Sequence, residues 1–297
     1  MTYNPLITVI ISSYNHARYV EASIRSVLNQ TYSNVELLVY DDGSSDDSPA
    51  IIQKLADQYG FFYHPQANQG LPRTLNDGIA RARGTLIAPF GSDDIMFPDR
   101  LEKQVAWIEH HPEVGFFGGN VIKIDEHGDP LPQKRQRHHP ERMLNFEDAF
   151  LERVEAPQTA TLLFRKEAIE QVGGFDPDIR LEDLYIGLKI TEAGWMMGAM
   201  EDTMAYYRVH PTNTVKNLHF MQQAVLKTYA CFSHHPSYPD VLAAWFNHQF
   251  LKAANRDKKL ALECLKQLPL SYWNMKTLRG IWRLLTERER PPATAPK

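Results

Sequence analysis

Apolar residues in the first third of the chain follow two alternating rhythms. Leu6-Ile7-Thr8-Val9-Ile10-Ile11, Val35-Glu36-Leu37-Leu38-Val39-Tyr40, Phe61-Phe62-Tyr63-His64 and Thr85-Leu86-Ile87-Ala88-Pro89-Phe90 are short, largely apolar runs, as expected of strands covered on both faces. Between them Val20, Ile24, Val27 and Leu28 recur at helical spacing, a second helix runs to Tyr59 and a third covers Arg73 to Ala82. Strands separated by helices imply right-handed crossovers, hence an α/β fold with a mostly parallel sheet flanked by helices. Loops leaving such strands open on one edge, where open parallel sheets bind ligands. The turn Ser12-Ser13 and the acid pairs Asp41-Asp42 and Asp93-Asp94 are therefore expected to converge there.

Further on, a strand-like run covers Thr203 to Val209 and a helix Leu184 to Ala193, and beyond residue 215 the pattern is helical. Phe220 to Phe232, Val241 to Ala254, Lys258 to Leu268 and Trp273 to Leu285 read as helices. The expected organisation is an α/β domain over 1–215, a helical appendage over 216–290 and a frayed tail over 291–297. In the last helix Leu278, Ile281, Trp282 and Leu285 form an apolar stripe, and Lys276, Arg279 and Arg283 a basic one. Such a helix could rest on an anionic membrane surface; docking of the stripe on the catalytic domain is the favoured expectation.

Composition narrows the class. A chain of 297 residues, 43% hydrophobic and 23% charged, is an ordinary globular protein. Cys231 and Cys264 lie far apart with no ligand spacing, which suggests neither disulfides nor a cysteine zinc site and fits a reducing cytoplasm. The start lacks a signal-peptide pattern, and no stretch is long and apolar enough to span a bilayer. The net charge of −4 hides ten Lys and Arg against four Asp and Glu in residues 251–290. An acidic body with a basic end argues against general nucleic-acid binding and leaves room for a local anionic partner, membrane headgroups among them.

The converging loops suggest a chemistry. Adjacent carboxylates repel unless a cation or donor balances them, so Asp93 and Asp94 read either as a Mg²⁺ or Mn²⁺ site or as a turn that caps the next helix. Asp41 or Asp42 could accept from a base imide or a ribose hydroxyl. Arg73, at the start of a helix on the same edge, could meet phosphate, or could be a solvated surface residue. No phosphate-binding P-loop and no G-x-G-x-x-G after the first strand occurs, which weakens nucleotide triphosphatase and dinucleotide readings.

The string PLITVIISSYNHARYVEASIRSVLNQTYSNVELLVYDDGSSDDS, followed by NQGLPRTLNDGIARARGTLIAPFGSDDIMFPDRL, by TATLLFRKEAIEQVGGFDPDIRLEDLYIGLKITEAGW and by YYRVHPTNT, resembles the inverting family-two glycosyltransferases of the GT-A fold. The resemblance covers roughly residues 5–215. It implies transfer of a sugar from a nucleotide-diphosphate donor to a glycan or lipid-linked acceptor, as in bacterial surface polysaccharide assembly at the inner face of the plasma membrane. On matching positions it implies Ser12, Asp41 and Asp42 around the base and ribose, with Asp42 the partner of the base. It also implies Asp93 toward the donor, Asp94 on the divalent cation, His210 near the metal or diphosphate and Asp183 as general base. Glu182 and Asp183 equally suit the first turn of the following helix.

Departures mark where substrate and cofactor use would differ. Gly91 stands where many relatives carry a further acid, Pro72 where a small residue is usual, and Leu184-Tyr185 beside the base. The pairs His110-His111, His138-His139 and His234-His235 lack convergent geometry and are not read as ligands. The basic run of Lys134, Arg135 and Arg137 is read as a solvated loop. Two other function classes stay open: Mg²⁺-dependent phosphoryl transfer, suggested by the loop after Asp41, and a nucleotide-sugar-binding subunit without turnover.

Overall fold

The computed structural model describes residues 3–132, 136, 138–152, 156–210 and 217–288. Lys134, Arg135, Arg137 and the tail 291–297 lie outside the described residues. The chain divides into two compact units, Met1–Ala149 with Arg153–Val209, and Phe150–Glu152 with His210–Lys297.

The first unit begins with β1 (Ile7–Ser13), α1 (Val20–Leu28), β2 (Val35–Asp41), α2 (Ser48–Tyr59), β3 (Phe62–Pro65), α3 (Leu71–Arg81) and β4 (Leu86–Gly91). These strands pair in parallel in the order β3-β2-β1-β4. The alternation of β1 explains why it is central. Ile7, Val9 and Ile11 face α1 and α2 through Val20, Ile24, Val27, Ile52 and Leu55, while Ile10 faces α3 through Leu75 and Ile79. All four β1 side chains are fully buried, each contributing roughly 1.5–3 kcal/mol by leaving water. Gly78 lets α3 approach closely, since a Cβ there would stand 2.7 Å from Ile10 Cγ2.

Beyond β4 the sheet is mixed. β5 (Ile95–Met96), α4 (Arg100–Ile108), β6 (Val114–Ile124), β7 (Arg142–Leu144), β8 (Leu163–Arg165), α6 (Lys166–Gln171), α7 (Glu182–Glu192) and β9 (Met196–Arg208) follow, with a short helix α5 (Phe146–Phe150) after β7. β8 runs antiparallel to both β4 and β6, and β9 runs parallel to β6 and antiparallel to β5 and β7. The parallel arrangement expected from the sequence thus describes one half of the sheet. The strand read as Thr203 to Val209 is much longer, and its first half turns into the core through Met197, Ala199 and Met200.

The second unit packs α8 (Leu218–Ala230), α9 (Tyr238–Ala253), α10 (Lys258–Lys266) and α11 (Met275–Thr286) around Phe246, Phe250, Leu260, Ala261 and Cys264. Asn217, Asp257 and Asn274 cap α8, α10 and α11 by accepting backbone N–H bonds, as their side chains favour. No helix among the described residues is long and apolar enough to cross a membrane.

Candidate active site

Register brings the loops together as the alternation predicts. Ser12 lies opposite Tyr40 on one side and Gly91 on the other, and Ser13 lies opposite Asp41. The backbone N–H of Asp42 donates to Ser13 O at 2.8 Å. Ser12 is half-buried at this edge, and Arg73 is exposed in the first turn of α3.

The first acid pair is buried and already engaged. Asp42 Oδ1 accepts from Gln66 Nε2 and from the Gln69 N–H, both at 2.9 Å, and Oδ2 accepts from the Gly70 N–H at 2.9 Å. Asp42 therefore pins the segment that leads into α3. Asp41 accepts once on each oxygen, from the Ser44 N–H at 2.9 Å and the Ser44 hydroxyl at 2.7 Å. Nearby, burial and the charge of Asp41 push the Tyr63 phenol up to about 12. The hydroxyls of Tyr63 and Ser13 are buried without a hydrogen-bond partner among the described residues.

Asp93 and Asp94 differ in surroundings. Asp94 is 4% exposed; its Oδ1 accepts from the Arg208 N–H at 2.9 Å. Burial and the neighbouring charge of Asp93 hold its carboxyl well above the usual range, against the pull of Arg208 and Arg100. Arg208 Nε donates to the Asp93 carbonyl at 2.9 Å, so the end of β9 clasps both residues. Gly91 makes room for the pair: a Cβ there would stand 2.8 Å from Asp93 Oδ1 and 3.1 Å from Asp94 Oδ2. An acid at this position would crowd two carboxylates that already repel. His16 donates to or accepts from the Ser92 hydroxyl at 2.7 Å through Nδ1, and a His16 ring nitrogen lies within 4.8 Å of an Asp93 carboxylate oxygen. His210 is the first residue of the second unit and is buried.

Beneath the pair lies Arg100, fully buried. It donates to Gln104 Oε1 at 3.0 Å, Ala160 O at 2.8 Å and Leu162 O at 3.2 Å. Gln104 adds a bond to Thr161 O at 2.9 Å. The 3₁₀ turn Thr159–Thr161 is thereby held by α4. From this turn, Thr159 Oγ1 donates to Asp183 Oδ2 at 2.7 Å, while Asp183 Oδ1 accepts from the Leu184 N–H at 2.8 Å. The N-cap of α7 is Leu181, whose side chain makes no capping bond. Asp183 thus belongs to the first turn without being the cap. Tyr207, on β9, is half-buried. Burial, then the charges of Asp94, Asp93 and Asp183, push its phenol up to about 12.

Glu182 offers a test of this electrostatic setting. Burial and then the Asp183 charge push its carboxyl up from 4.5 to about 8. The folded chain therefore keeps a proton that the unfolded chain releases, so this group's stabilisation is full below about 4.5 and is lost as pH rises through about 8. Urea unfolding of the wild type should show a component falling by up to ~1.4 kcal/mol per pH unit in that window. Glu182→Gln should remove it, and parallel pH profiles for the two proteins would contradict the shift.

Sequence reasoning overlooked His16, Thr159, Arg100, Tyr207 and Arg208. Spacing gave no clue to Thr159 or Tyr207, which reach the site only through the fold. His16 lies three residues beyond β1 and Arg100 opens α4 after the acid pair, so loop position could have flagged both.

Comparison with known proteins places the geometry in a family. The profile described as glycosyl transferase family 2 matches residues 8–173. An uncharacterized glycosyltransferase of Nostoc sp. is 32% identical over 214 residues, spanning 70% of this chain and 66% of the relative. The amylovoran biosynthesis glycosyltransferase AmsE of Erwinia amylovora is 30% identical over 208 residues, 68% of this chain and 76% of the relative. The putative teichuronic acid biosynthesis glycosyltransferase TuaG of Bacillus subtilis is 28% identical across 85% of this chain and 97% of its own length. Among solved structures, S. aureus TarS 1-349 in complex with UDP-GlcNAc has a TM-score of 0.66 at 16% identity, covering 90% of this chain and 82% of that one. The mannosyltransferase PcManGT from Pyrobaculum calidifontis, in complex with GDP-Man and Mn²⁺, has a TM-score of 0.62 at 18% identity, covering 95% of this chain and 86% of that one. With the profile matched across the strand-end acids and the GT-A sheet that carries them, the chain belongs to glycosyl transferase family 2.

Proposed function

We propose that the chain transfers a sugar from a nucleoside diphosphate sugar to a hydroxyl of a glycan or lipid-linked saccharide, inverting the anomeric carbon, in bacterial surface polysaccharide assembly on the cytoplasmic side of the membrane. The reading is carried by the family 2 profile over residues 8–173, which spans the acids that end β2 and follow β4, and beyond it the Asp183 carboxylate is held by Thr159 in the first turn of α7. An inverting displacement needs the diphosphate to leave from one face while the acceptor hydroxyl attacks from the opposite one, with a carboxylate on the acceptor side to take its proton. Relatives named for amylovoran and teichuronic acid biosynthesis support the polysaccharide context.

On this reading Ser12, Asp41 and Asp42 receive the nucleoside. Of the two acids, Asp41 keeps more acceptor capacity, with two donors on its carboxylate against three on Asp42. A carboxylate offers about four lone-pair sites. Arg73 and the N–H groups opening α3 meet the diphosphate. Hard oxygen donors at Asp93 and Asp94, with the His16 imidazole, suit Mn²⁺ or Mg²⁺. Asp94, buried beside another acid, has reason to share its charge. Such an ion would supply Lewis-acid stabilisation of the departing diphosphate. Asp93, with a carboxylate oxygen within 4.8 Å of a His16 ring nitrogen, is the partner of His16. Asp183, oriented by Thr159, takes the acceptor proton.

The test is thermal unfolding with UDP, GDP and dTDP, each with and without Mn²⁺, followed by transfer assays with the matching sugar donors. One nucleotide with Mn²⁺ should stabilise the fold by about 2.7 kcal/mol at a hundredfold excess over Kd, and its sugar form should be turned over to a glycoside. Release of inorganic phosphate would favour phosphoryl transfer, and binding without turnover a non-catalytic subunit.

A further inference from the structure

Helix α11 joins its unit by one face and leaves the next one bare. Thr277 Oγ1 accepts from the Asn274 N–H at 2.9 Å and donates to Asn247 of α9. Gly280 sits against the Phe250 ring, where a Cβ would come within 2.5 Å of Cε1. Ile281 and Leu284 pack on the same core. These contacts fix the rotation of the helix. Of the apolar stripe anticipated from the sequence, Ile281 alone is packed in this way.

At 3.6 residues per turn, Met275, Leu278, Trp282 and Leu285 then share a strip next to the docked face. They are 62%, 54%, 61% and 78% exposed. Leu270 and Trp273, in the turn before the helix, are exposed as well. Six of the eleven exposed large apolar side chains among the described residues thus fall between Leu270 and Leu285, a concentration that ordinary surfaces avoid. On the far border of the strip the same spacing places Lys276 and Arg279, both exposed, and Arg283, which is half-buried. Arg283 reaches Leu251 O at 3.4 Å and Glu287 at 3.8 Å. Lys276 also acts on α9, where burial, then its charge, then that of Lys252 hold the His248 imidazole below its ordinary value.

We infer that this strip of α11 is a docking face for an anionic lipid bilayer, with Leu278, Trp282 and Leu285 in the headgroup region and Lys276 and Arg279 on lipid phosphates. The charge pattern chooses the occupant. A helix with Trp and Leu on one side and Lys and Arg beside them is built to lie in a membrane interface. A two-fold contact between copies presents the same patch twice, which would bring the two sets of cations together at one rim. Lipid phosphates neutralise them. The inference stands apart from the transfer reading, because its test contains no donor and no acceptor.

The full-length chain is co-sedimented with vesicles of phosphatidylcholine alone and of phosphatidylcholine with phosphatidylglycerol. It should sediment with the anionic vesicles, far less with the neutral ones, and less as salt rises. Lys276→Ser with Arg279→Ser should weaken anionic binding roughly fivefold per cation. Leu278→Ser with Trp282→Ser should weaken it roughly tenfold or more. Because all four side chains are exposed, both variants should keep the wild-type melting temperature. Absence of binding to anionic vesicles would overturn the proposal, as would full retention of binding by both variants. So would a dimer in solution that Trp282→Ser dissociates.

Discussion

Asp183→Asn should lower sugar transfer by roughly 10² to 10⁴ while nucleotide affinity stays within about twofold of wild type. Asn keeps the size and an oxygen to accept from Thr159, which holds the native carboxylate at 2.7 Å, so the geometry of the first turn of α7 should survive. What disappears is the ability to accept the acceptor's proton as the new bond forms. A purely structural Asp183, acting on the helix dipole alone, would contribute only about 0.3–1 kcal/mol of stability, and its replacement would leave transfer nearly intact. The two outcomes are far apart. Single-turnover transfer with saturating donor, beside nucleotide titration followed by thermal unfolding, separates loss of chemistry from loss of binding. Near-normal transfer would remove Asp183 from the role of base.

The half of the fold that was legible in the sequence is the half with local rules. From β1 to β4 each strand is separated from the next by a helix, so apolar period, crossover handedness and the position of Ser12, Asp41 and Asp93 follow from one another. The mixed half has no such rule. β6 carries Gly115, Gly118 and Gly119 and pairs with β8, and through shifted register with β9, and neither its partners nor their directions can be read from period alone. The site follows the same division. Strand-end acids announce themselves, but Thr159 and Arg208 act through hydrogen bonds to residues 24 and 114 positions away. The carboxylate of Asp42, expected as the partner of a base, is largely occupied by the chain itself, an assignment that only hydrogen-bond geometry could make. For α11 the sequence supplied both stripes, and the packing of Thr277 and Gly280 decided which of them meets solvent.

Arg100→Met should destabilise the fold by about 2–6 kcal/mol, roughly 1–3 for each of the two buried carbonyls left without a donor. The guanidinium is fully buried and is held down to about 9 by burial, with Asp94 opposing the shift, so it remains charged at neutral pH. Its removal leaves Ala160 O and Leu162 O without their donors and takes away a positive charge that favours ionised Asp94. Arg100→Lys separates these losses: a point charge remains, but an ammonium cannot reproduce the guanidinium's fixed fork of donors. The lysine variant should therefore recover part of the stability and less of the transfer rate, because the turn that carries Thr159 stays loosely held. Urea unfolding measures the first quantity and single-turnover transfer the second. Loss of under about 1 kcal/mol in Arg100→Met would mean that the turn and Asp94 find other partners, and the link from α4 through Thr159 to Asp183 would fail with it.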